Sequence, residues 1–160
     1  MEKHHLYFAF GSNLFTPQMQ ERCPKAVPLG RAVLPHFELC FPLQSPRWEG
    51  CGVAGIRRAD HRKVKGLLYI LSLDCLKILD DYECHPIRYK RQMVFVYDEQ
   101  GKELQAWTYF PVDVPDDAFF APSKDYLKKI LQGAYEHKFP RSYLQFLHSI
   151  PTAESESVEP

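Results

Sequence analysis

Short apolar runs and alternating segments fill the first part of the chain, and helical periodicity dominates its end. Leu6-Tyr7-Phe8-Ala9-Phe10 is five consecutive apolar residues, which predicts a buried strand. It breaks at Gly11-Ser12-Asn13, where Gly11 is free to take a positive φ and lacks a Cβ that would keep a ligand off the backbone. Thr16-Pro17 then predicts a short helix near Pro17–Arg22, with Thr16 as cap and Pro17 at the first helical position. From Arg31 to Leu43, His36, Glu38 and Cys40 alternate with Phe37, Leu39 and Phe41. That is a sheet with two unlike faces, with Pro35 and Pro42 marking edges or interruptions. Cys51–Ile56 and Val64–Leu71 read as two strands around a charged turn, Arg57–Lys63. Tyr89–Tyr97 and Leu104–Phe110 read as a hairpin around Asp98-Glu99-Gln100-Gly101. Ser123 caps a helix with the stripe Leu127, Ile130, Leu131 and Ala134. A second short helix after Phe139-Pro140 buries Tyr143, Phe146, Leu147 and Ile150.

Ser72–Cys84 breaks its own pattern in one informative place. Ser72 can cap this helix, and Asp74 suits its first turn. Leu76, Leu79 and Glu83 follow at helical spacing and share a face. Glu83 therefore continues an apolar stripe and points inward, at a helix end where the dipole disfavours negative charge. Both effects raise a carboxyl pKa. The alternative at this point is a solvated Glu83 beyond a frayed helix end.

Composition narrows the function classes. Lys plus Arg and Asp plus Glu are both 20 in 160 residues, so the formal net charge is zero. No global basic field exists to attract nucleic acid or an acidic membrane. No apolar run approaches the roughly 20 residues needed to span a bilayer, and no signal peptide is evident. Five cysteines, Cys23, Cys40, Cys51, Cys75 and Cys84, contain no C-x-x-C pair. That fits reduced thiols and a cytoplasmic protein. The expected organisation is one domain over residues 1–150 and a disordered acidic tail over 151–160.

Three segments in order carry a resemblance. They are Tyr7-Phe8-Ala9-Phe10-Gly11-Ser12-Asn13-Leu14, then Gly66-Leu67-Leu68-Tyr69 running on to Leu79-Asp80-Asp81-Tyr82-Glu83, then Pro122-Ser123-Lys124-Asp125-Tyr126 with Gly133-Ala134. Together they resemble the gamma-glutamylcyclotransferase family, including its AIG2-like members, over roughly Leu6 to Ile150. The resemblance implies an α+β fold: a compact mixed β-barrel flanked by helices, with a pocket at one end. It implies release of 5-oxoproline from a gamma-glutamyl amino acid or amine, with no metal or organic cofactor, in a monomer or homodimer. Glu83 matches the family's catalytic glutamate. Tyr7, Phe10, Gly11, Ser12 and Asn13 match the strand and turn that bind the glutamyl group, and Tyr89 and Tyr126 match pocket tyrosines. Two positions depart: Phe10 stands where the family has a tyrosine, and Cys84 where it has a glycine.

The implied chemistry needs few groups. The substrate's α-amine attacks its own γ-amide carbonyl, and holding it for that attack supplies roughly 7–11 kcal/mol. One glutamate can take the ammonium proton and return a proton to the leaving amine, worth about a hundredfold to ten-thousandfold. The amides of Gly11, Ser12 and Asn13 are candidate oxyanion donors. The seven histidines lie in no H-E-x-x-H or C-x-x-C context, so a metal site is not expected. Cys84 and His85 are sequence neighbours and do not face each other on a helix, which disfavours a thiol mechanism. The competing reading from another class is a binding module that keeps the pocket without turnover.

Overall fold

The computed structural model describes residues 3–153. Among them, five strands close into a barrel in the order β1, β3, β2, β4, β5. They are β1 (His5–Ala9), β2 (Val27–Ser45), β3 (Cys51–Leu71), β4 (Tyr89–Asp98) and β5 (Glu103–Pro111). Neighbours run antiparallel except at the seam, where β1 meets β5 in parallel with Tyr7 opposite Trp107. Four helices flank the barrel: α1 (Thr16–Arg22), α2 (Leu73–Tyr82), α3 (Lys124–Glu136) and α4 (Arg141–His148). The mixed barrel with helices is the fold expected from sequence.

The central strands β1 and β3 are buried on both faces where the helices cover the barrel. Phe8 and Ala9 of β1, Leu67, Leu68 and Tyr69 of β3, and Val96 and Ala106 of the hairpin are buried together. Leu76 and Leu79 of α2 and Ile130 and Ala134 of α3 close over the outside of that core. Gly133 explains how α3 reaches the turn after β1. A Cβ there would lie 2.3 Å from the Leu14 backbone, so only glycine lets this helix rest directly on the 3-10 turn Ser12–Leu14.

Several expectations are corrected. The two strands expected around a charged turn are one strand, β3. The turn survives inside it as a protrusion, because the register moves from Arg58 to Lys63 while β2 moves only from Phe37 to Pro35. His61 takes a left-handed φ of 66° within this excursion, a large bulge on an otherwise continuous ladder. β2 likewise runs through Pro35 and Pro42, and its register shifts beside both. Thr16 is not the cap of α1. The capping residue is Phe15, and the Thr16 hydroxyl bonds His137 Nε2 at 2.8 Å instead. Gly11 has φ −112°, so its positive-φ freedom is not used. Phe146 of α4 is half-exposed rather than buried. The expected tail begins ordered, since Ala153 bridges Ser123 and donates to the Pro122 carbonyl at 2.7 Å. Residues 154–160 lie outside the described residues.

Candidate active site

A cavity of about 380 Å³ opens at one end of the barrel. Its walls come from the ends of β1, β2 and β5 and the starts of β3 and β4, with α2 and α3 contributing side chains. Every residue picked from sequence lines it: Tyr7, Phe10, Gly11, Ser12, Asn13, Glu83, Tyr89 and Tyr126.

The turn after β1 is rigid and offers donors. Asn13 is buried, and both ends of its side-chain amide are held. Its amide donates to the Tyr7 hydroxyl at 3.0 Å, and its Oδ1 accepts from Gln18 and Arg22, each at 3.1 Å. Its carbonyl accepts from the Tyr69 hydroxyl at 2.9 Å. Gln18 also donates to the Ser12 hydroxyl at 2.7 Å. The side chains of Ser12 and Asn13 therefore hold the loop against α1. The N–H groups of Gly11, Ser12 and Asn13 have no protein acceptor among the described residues. Three adjacent unspent N–H groups on residues that line a cavity are suited to an anionic oxygen.

Glu83 enters from the end of α2. Ser72 caps the start of this helix by accepting from the Cys75 N–H at 3.2 Å. The helix ends at Tyr82, and Glu83 is its C-cap. Asp80 locks that end in place: Arg91 grips it at 2.8 and 3.2 Å, and the Tyr109 hydroxyl donates to it at 2.7 Å. Cys84 adopts φ 53°, and the His85 N–H reaches back to the Asp80 carbonyl at 2.9 Å. That is the left-handed closure for which helices ordinarily use glycine. No hydrogen bond or ion pair engages the Glu83 carboxylate among the described residues. Burial pushes its pKa up from 4.5 to about 6, against the pull of Arg22, Arg47 and Arg88.

The tyrosines divide the remaining wall. The Tyr89 hydroxyl donates to the Ala54 carbonyl at 2.6 Å, and the Ala54 N–H donates to the Tyr126 hydroxyl at 2.9 Å. The backbone of Ala54 is thus held at both its N–H and its carbonyl. Burial raises the pKa of Tyr7, Tyr89, Tyr109 and Tyr126, so each keeps its proton at neutral pH. Tyr7 and Tyr126 accept from protein N–H groups, which leaves their own O–H protons available. Phe10 lines the cavity with no hydroxyl.

Sequence reasoning missed Arg22, Arg47, Trp48, Arg88 and Tyr109, which also line the cavity. Tyr109 had a detectable signal, its alternation on β5. The arginines had none, because three separate elements deliver them. No group of three or more His, Cys, Asp or Glu among the described residues is placed to hold a metal ion.

The comparisons agree with this architecture. The AIG2-like family model matches residues 63–147. A gamma-glutamylcyclotransferase from Bos taurus is 33% identical over 150 residues, covering 91% of this chain and 78% of the relative. One from Homo sapiens is 32% identical over 154 residues, covering 93% and 80%. A solved gamma-glutamyl cyclotransferase superposes with a TM-score of 0.89 at 29% identity, over 96% of this chain and 92% of that one. A closed mixed barrel with one free carboxylate in its end pocket thus has enzymes as its relatives. The chain belongs to the AIG2-like, gamma-glutamylcyclotransferase family, and it is an enzyme of that type.

Proposed function

We propose that this protein releases 5-oxoproline from a small gamma-glutamyl compound, with Glu83 moving the protons. The carrying observation is a single carboxylate without an ion-pair partner, in one cavity with the unspent N–H groups of Gly11, Ser12 and Asn13. In this reading the turn and Arg22 hold the glutamyl half. Glu83 takes a proton from the α-ammonium, and the freed amine attacks the γ-carbonyl carbon. The new C–N bond closes a five-membered ring. The oxyanion sits on the turn N–H groups and the hydroxyls of Tyr7 and Tyr126. A second proton passes from the ring nitrogen to water as the amide C–N bond breaks. Glu83 gives a proton to the departing amine, which collects its last one from water. A pKa near 6 suits both directions of transfer.

The test is 5-oxoproline release by the parent and by Glu83→Gln across a panel of gamma-glutamyl compounds. Glutamine keeps the shape and cannot accept the proton, so turnover should fall at least about a hundredfold in a folded protein. Near-parental release by Glu83→Gln removes this mechanism. Binding by the parent with no release on any compound favours the pocket-only binding module.

A further inference from the structure

Two arginines at the cavity are not used by the proton transfers. Arg47 is exposed and stands on the 3-10 turn Pro46–Trp48, and Arg88 is half-buried just before β4. Neither has a carboxylate partner among the described residues. Arg22 is committed to Asn13 and lies over the Tyr82 ring at 4.4 Å. Arg47 shares that ring at 5.1 Å, and Trp48 beside it packs edge-on to Tyr126 at 5.1 Å. Arg88 donates to the Gln44 carbonyl. Both guanidiniums are therefore held in place by neutral partners, with charge to spare. The charged residues lining the cavity are these three arginines and Glu83, an excess of positive charge that a free ammonium or neutral amine would not balance.

Resting on the cyclisation reading above, we infer that Arg47 and Arg88 are specificity residues that recognise a carboxylate on the leaving amine. The turn, Arg22 and Glu83 take the glutamyl half. What remains is the half that departs, and Arg47 and Arg88 are the charged cavity residues that those roles leave over. A leaving amino acid puts its carboxylate there, and guanidinium is the side-chain group best matched to it. A leaving amine without a carboxylate leaves both cations unmatched, and one that carries extra positive charge meets repulsion. The same two arginines lower the Glu83 pKa, so removing them also moves the acid limb of the activity profile upward.

The experiment compares gamma-glutamyl-alanine with gamma-glutamyl-ethylamide, which differ only by the leaving group's carboxylate. In the parent, kcat/KM should favour the alanine compound by about 10- to 100-fold, the range for a hydrogen bond between charged groups. The ratio should fall toward one in Arg47→Gln/Arg88→Gln, mostly through KM, with folding checked by thermal melt. Arg88→Lys in an Arg47 background should retain part of the preference. Equal kcat/KM for the two compounds in the parent overturns the inference, as does an unchanged ratio in the double variant. Absence of 5-oxoproline from both compounds overturns the cyclisation reading itself, and this inference with it.

Discussion

Glu83 joins function to stability in one residue. Its pKa of about 6 means that the folded protein holds this proton more tightly than the unfolded chain, where the ordinary value is 4.5. Between those two values the folded state binds more protons, so stability falls as pH rises through the window. Above about 6 the full penalty is present, on the order of 2 kcal/mol. Below 4.5 it is absent. Glu83→Gln has no charge to bury, so it should be more stable than the parent at pH 7.5, by about 1–2 kcal/mol. The advantage should vanish at pH 4, and urea melts at the two values check this. Activity has the opposite dependence, because only the ionised form accepts a proton. The parent's kcat/KM should climb with pH and level off above about 6, and a flat profile from 5 to 7 contradicts the assigned base.

At the scale of elements, the turn after β1 and the end of α2 have to be held still. Gly11 does its work by size rather than by φ. A Cβ on it would lie 3.1 Å from the Ala54 Cβ and 3.5 Å from the Tyr126 hydroxyl. Ala54 is held against retreat, because Tyr126 accepts from its N–H and Tyr89 donates to its carbonyl. Gly11→Val should therefore fold but lose at least about tenfold in affinity for 5-oxoproline, by calorimetry alongside a thermal melt. Unchanged affinity in folded protein would mean the turn does not cradle the ligand. At the end of α2, Cys84 sits at φ 53° with a side chain where glycine fits without strain. Cys84→Gly should raise stability by about 0.5–1 kcal/mol, read as a higher melting temperature. These parts were legible in sequence because they depend on local rules: a strand period, a glycine break, and Glu83 at helical spacing from Leu76 and Leu79. The closing geometry at Cys84 was visible only as a departure from a glycine. Arg22, Arg47 and Arg88 were not legible, since tertiary packing alone turns α1, the Pro46–Trp48 turn and the approach to β4 toward one cavity. Arg57–Lys63 misled for a different reason. Its charges mark solvent exposure, and a bulge on a long strand is as exposed as a turn between two.

At the scale of the molecule, the site depends on how the barrel closes. β1 delivers the turn and β5 delivers Tyr109, so the β1–β5 seam sets the spacing between two pocket walls. That seam is short: β1 and β5 share one paired position, Tyr7 with Trp107. Thr108 reinforces it. Its side chain is completely buried, and its hydroxyl donates to the Phe8 carbonyl at 2.8 Å. A fully buried threonine in an apolar barrel is explained by this bond, since burying an unpaired hydroxyl is costly. Thr108→Val keeps the shape and removes the donor. It should destabilise the protein by about 1–2 kcal/mol, the range for a lost hydrogen bond at a buried acceptor. The loss should appear as a lower urea midpoint with an unchanged slope, because the surface exposed on unfolding stays the same. Affinity for 5-oxoproline should weaken as well, since β1 then has fewer restraints on the residues leading to Gly11. A Thr108→Val protein that melts with the parent and binds product equally would show that the barrel closes without this bond, and that the pocket walls are spaced by packing alone.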